Sequence, residues 1–177
     1  MTSELYNKIV QGRGSFEKLI ARIPGFKGYQ DKQARRTADT QVREYLADQV
    51  QQRVDRLVRI EKLILDNAGM MYMSKTRGVK GQLQLYHDRI ATAAPGYSGM
   101  WAQMKIGAEE LDLIYAFDEA QMQYVDKIDL ALEQLQQAAL NRDALEAAIY
   151  NLDETVREAN EAFSLRDDLF TGFSQSV

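Results

Sequence analysis

A chain of 177 residues that is 45% apolar, with two prolines, is too hydrophobic to stay disordered and long enough for one domain or one elongated bundle. It has no cysteine, which excludes disulfides, thiolate metal sites and thiol nucleophiles together. The formal net charge of −4 conceals a division: residues 1–90 hold 17 Lys and Arg against 10 Asp and Glu, net +7, and residues 91–177 hold 5 against 16, net −11.

Helical spacing dominates from the start. Thr2 or Ser3 can cap a first helix, with Leu5, Ile9, Phe16, Leu19, Ile20 and Ile23 on one face. Gly12 and Gly14 interrupt this segment, so it is one soft helix or two short ones. Pro24-Gly25 ends it, and the connector through Tyr29 carries two aromatics, Phe26 and Tyr29, suited to tuck into the end of a bundle. From Asp31 an apolar stripe runs Ala34, Ala38, Val42, Tyr45, Leu46, Val50, Val54, Leu57, Ile60 and Ile64. It can be continued through Ala68, Met71, Val79, Leu83, Tyr86 and Ile90, which predicts one long helix over 31–93 bent near Gly69. Ala94-Pro95-Gly96-Tyr97-Ser98-Gly99 is the strongest turn signal and coincides with the charge boundary.

A third helix is expected from Met100 to Leu140, with Met104, Ala108, Leu111, Tyr115, Met122, Val125, Leu132 and Leu135 in its seam. After a short turn at Asn141-Arg142-Asp143, a fourth spans about 143–169, and residues 171–177 form a fraying tail. The expected fold is all-α: an elongated antiparallel helical hairpin or bundle with long coiled-coil-like helices and a short N-terminal helix. Its parts are an amphipathic N-terminal helix (1–23), a long hairpin or bundle (24–170) with a basic arm (31–93) against an acidic arm (100–169), and the tail. The turns lay the two arms side by side, so opposite charges meet within the chain.

No catalytic set stands out, and neither cofactor nor metal is expected. The single histidine, His87, has Gln84 where a di-iron bundle needs Glu three residues before it. Lys75-Thr76-Arg77-Gly78-Val79-Lys80-Gly81 lacks the residue order of a phosphate loop and lies in a helical stripe. Asp112, Glu119, Asp126 and Glu133 recur every seven residues, as a solvated coiled-coil face or as a partner strip for Arg53, Arg56 and Lys62. Asp118 falls close to the seam, where a buried carboxylate needs an arginine or tyrosine hydroxyl. Arg35, Arg36, Arg53, Arg56 and Arg59 could contact phosphates, but the sequence pI of about 5.1 argues against nucleic acid. Leu5, Lys8, Ile9, Phe16, Lys18, Leu19 and Arg22 have the composition of an interfacial helix, or of a short helix covering the bundle end. The N-terminus lacks the pattern of a secretory signal, and no apolar run reaches the roughly 18 residues of a membrane span, so a cytoplasmic protein is expected, with membrane association as a variant.

Ile23-Pro24-Gly25-Phe26-Lys27-Gly28-Tyr29, followed by Ala34-Arg35-Arg36-Thr37-Ala38-Asp39, resembles segments of an uncharacterised family of small bacterial all-helical proteins. Ala94 to Gly99 and Leu113-Ile114-Tyr115-Ala116-Phe117-Asp118 are similar to later parts of it. The resemblance covers roughly 23–165 and implies an all-helical fold of bacterial cytoplasmic origin, with no catalytic residues. A looser, architectural likeness is to the phage-shock family of membrane-remodelling proteins, which pair an amphipathic first helix with a long hairpin.

The expected role is a non-enzymatic helical scaffold. It would associate with copies of itself or with a protein partner through charged faces carrying Arg35, Arg36, Arg53, Arg56, Arg59, Asp112, Asp118, Glu119 and Asp126. The alternative is a peripheral protein bound to an anionic membrane surface.

Overall fold

A computed structural model describes residues 2–12, 14–31, 34–93 and 106–175. Among them there are six α-helices and no strand: α1 (Thr2–Val10), α2 (Ser15–Arg22), α3 (Arg35–Ala68), α4 (Met73–Thr92), α5 (Ala108–Asn141) and α6 (Leu145–Gln175). A single turn of 3-10 helix, Met70–Tyr72, stands between α3 and α4. The expected turn at Ala94–Gly99 and the seam position Met104 lie outside the described residues.

The all-α bundle is the one the spacing implies, but the basic arm is not a bent rod. At Gly69, whose φ of 75° and ψ of −165° only glycine adopts readily, α3 stops and the chain reverses. Glu61 then pairs with Lys80, and Arg43 Nη1 donates to the Ala93 carbonyl at 2.9 Å, so α3 and α4 are antiparallel. Met71, read as part of the continuing stripe, is 74% exposed in that reversal. The acidic arm is a second hairpin: Asn151 Nδ2 donates to Gln134 Oε1 at 2.9 Å across α5 and α6. Between the hairpins the helices run parallel. Arg56 on α3 meets Asp129 and Glu133 on α5, and Asn67 Nδ2 reaches the Ala139 carbonyl. Lys75 and Arg89 on α4 meet Glu146 and Asn160 on α6.

The resulting four-helix bundle is filled by the predicted stripes. Leu57, Ile64, Leu83, Ile90, Leu132, Leu135 and Leu152 are all fully buried, each side chain contributing about 1.5–3 kcal/mol. Helix α6 continues to Gln175, beyond the predicted fraying point. Leu169 and Phe170 still pack on the bundle, which anchors its final turns.

Residues 2–31 form a cover over one end. The glycine interruption resolves as two helices, with Gly14 left-handed (φ 71°) at the start of α2. Both pack on α5, and α1 also touches α6. As a result every residue of α5 from Ile114 to Met122 is buried, on the cover side as well as the core side.

Candidate functional site

Beneath this cover lies a sealed cluster of charge. Arg166, on the inward stripe of α6 between Phe163 and Phe170, is 1% exposed. Its Nε donates to Asp118 Oδ1 at 2.7 Å and its Nη2 to Asp39 Oδ1 at 2.9 Å, tying α6 to α5 and α3. The Tyr29 hydroxyl donates to the other Asp118 oxygen at 2.6 Å. The Tyr29 backbone is held as well: its N–H donates to Tyr115 Oη at 2.9 Å, and its carbonyl accepts from Arg35 Nε at 2.8 Å. Arg43 Nε donates to Asp39 Oδ2 at 2.9 Å. Two guanidinium and two carboxylate groups therefore balance, and Arg35 adds a third cation against a carbonyl.

Burial acts on each member. By itself it would lower the Arg166 pKa, but the Asp118 and Asp39 carboxylates outweigh it and hold the guanidinium well above its ordinary range. At Asp118 desolvation still prevails over the pull of Arg166 and Tyr29, and the carboxyl lies above the usual carboxylate range. Burial, and after it Asp118, pushes the Tyr29 phenol well up. Asp118 and Tyr29 are 0% exposed. What the cluster does is fix the 23–31 connector and three bundle helices in one arrangement.

The charged residues named from the sequence fall into three groups. Arg35 and Asp118, expected on a partner face, are inside the cluster, because the connector and α2 roof over that end of α5. Arg53, Arg56, Glu119 and Asp126 face partners in the same chain. Arg53 Nε lies 3.5 Å from Asp129 Oδ1, Arg56 binds Asp129, Glu133 and Gln136, Glu119 lies 3.6 Å from Lys18, and Asp126 binds Arg22. Arg36, Arg59 and Asp112 are exposed, as is Lys62. Arg166, Asp39 and Tyr29 were missed. For Arg166 a signal existed, since the α6 stripe Val156, Ala159, Phe163, Phe170 has its next helical position at 166.

The residues proposed for a membrane are turned the other way. Ile9 and Leu19 are buried, and Leu5 and Phe16 pack against the core, with the Phe16 ring 4.9 Å from that of Tyr115. Lys8 and Lys18 are exposed, while Arg22 also donates to the Met122 carbonyl at 3.0 Å. The apolar side of this amphipathic segment is thus engaged on α5.

The opposite end of the bundle is open. Met70 (79% exposed), Met71 and Leu140 crown it, and a groove of about 300 Å³ runs between α4 and α6. Val79 and Ile149 line it, Lys75, Glu146 and Asp153 rim it, and Tyr150 (65% exposed) stands beside Gly78. Gly78 and Gly81 each weaken α4 by about 1 kcal/mol relative to alanine. Neither has a positive φ, and a Cβ at either would meet nothing within 4 Å, so nothing in the described chain requires them to be glycine. His87 Nδ1 lies 2.9 Å from Asp88 Oδ1. Among the described residues no group of three or more His, Asp or Glu is placed to hold a metal ion, and no helix is long and apolar enough to cross a membrane. No family model, curated protein or solved structure matches the chain.

Proposed function

We propose that this protein is a non-enzymatic helical scaffold that acts by associating with a protein chain, a second copy of itself or a partner. Its densest set of ionisable groups is roofed over and serves to hold the fold. The observation that carries the reading is the open end, where Met70, Met71 and Leu140 expose large apolar side chains, together with the exposed Tyr150 that lines the α4/α6 groove. Such patches on a folded surface mark interaction sites. The contact differs from the charged faces expected at first. Arg22, Arg53 and Arg56 already face carboxylates of their own chain, so these cations are engaged before any partner arrives.

A membrane-binding role would require α1 and α2 to leave α5 and uncover Ala116, Phe117 and Ala120, so the geometry favours it less. Sedimentation equilibrium of the native protein from micromolar to sub-millimolar concentration tests the proposal. A concentration-dependent rise above the monomer mass of 20.2 kDa is expected. A monomer throughout removes the self-associating form of the function.

A further inference from the structure

We propose that a second copy of this chain docks on the α4/α6 face, with its twofold axis along the bundle and the Tyr150 of each copy seated over Gly78 of the other. The inference rests on the self-association just proposed and specifies its surface and symmetry.

Height comes first. Contacts from α4 to α6 advance together along both helices, from Lys75 with Glu146 to Gln82 with Asn160 and Tyr86 with Phe163, so α4 and α6 are parallel. Tyr150 and Gly78 line the same groove between these helices. A twofold axis parallel to the helices preserves height and exchanges sides. It lays α4 of one copy over α6 of the other and brings each exposed tyrosine to the opposite glycine. The unfilled space around Gly78, and Gly81 one turn on, then has a physical use: close approach of a second chain, which a side chain at either position would obstruct.

Charge selects the same symmetry. On α4 the charges near the groove are Lys75 and Arg77, and on α6 they are Glu146, Asp153 and Arg157, with Lys75 paired to Glu146 and Arg157 to Asp153 inside each copy. With the axis along the bundle, the α4 cations of one copy meet the α6 carboxylates of the other. An axis perpendicular to the helices would set α4 on α4 and α6 on α6, with like charges facing. Tyr150 supplies the rigid aromatic anchor that interface centres favour, and Leu85, 48% exposed further along α4, extends the apolar strip.

Because the chain has no cysteine, cross-linking gives an unambiguous readout. One preparation carries Gly78→Cys and another carries Tyr150→Cys; they are mixed and oxidised. A second pair, Gly81→Cys with Asp153→Cys, leaves Tyr150 and Gly78 intact. In both mixtures a covalent dimer containing one copy of each variant is expected, as the facing Cβ atoms would come within about 4 Å. Either preparation alone should give little. Gly78→Leu, which fills the notch, should weaken association about tenfold or more. A dimer by mass without the mixed disulfide overturns this face and leaves the scaffold function standing. A monomer by mass with no disulfide overturns both.

Discussion

Arg166→Met is expected to destabilise the protein by about 3–5 kcal/mol, the cost of stranding buried charges whose partner has been removed. The substitution keeps the apolar stem as far as the Nε position but loses the guanidinium, and with it the stacking on Phe170, whose ring centroid lies 4.6 Å from Cζ. What it removes are the donors to Asp118 Oδ1 and Asp39 Oδ1. Asp39 retains Arg43, but Asp118 is left with the Tyr29 hydroxyl alone among the bonds that define the cluster. Chemical denaturation followed by circular dichroism measures the loss. Adding Asp118→Leu to Arg166→Met should recover part of it, because an ion pair deleted as a unit costs far less than one broken in half. If the single variant is as stable as the parent, the cluster does not hold the fold.

Gly28→Ala should cost about 3 kcal/mol, combining a left-handed residue with overpacking. Gly28 has φ +82°, and an added Cβ would sit 2.6 Å from both Phe16 Cε2 and Tyr115 Oη. Both neighbours have structural duties. Phe16 anchors α2 against α5, and Tyr115 Oη accepts the Tyr29 N–H. Displacing the tyrosine would also disturb the connector that delivers the Tyr29 hydroxyl to Asp118. Loss of stability with faster hydrogen exchange in residues 14–31 is the expected pattern. An unchanged denaturation midpoint would contradict it.

The stripes were legible because burial imposes a period on the chain. Val42, Leu46, Val50, Val54, Leu57, Ile60 and Ile64 need only sit on one helix face to be read, and all are core. The reversal at Gly69 was not legible. Asn67-Ala68-Gly69 signals a break, but a kink and a full turn begin with the same residues. The choice is made by distant contacts such as Lys80 with Glu61 and Asn67 with the Ala139 carbonyl. The parallel course of α3 and α5 follows from that turn and was hidden with it.

At the buried cluster, the sequence located Asp118 near the seam and specified the kind of partner it needs. It did not say which arginine. Arg166 lies 48 residues away and Tyr29 lies 89 away, separations over which local pattern carries no information. The charge division was the clearest long-range signal, since complementary sign requires only that the arms meet and not in which register.

The claim on which the rest depends is that basic and acidic arms pair within a single chain, and charge exchange tests it most directly. Arg53→Glu with Arg56→Glu places four acidic groups where Asp129 and Glu133 now meet cations. It should lower Tm at low salt, with a smaller loss at high salt as screening weakens the repulsion. Adding Asp129→Arg and Glu133→Arg restores opposite signs and should recover most of the loss, equally at dilute and concentrated protein. A fourfold variant no more stable than the double one, or a double variant indifferent to salt, would contradict the pairing.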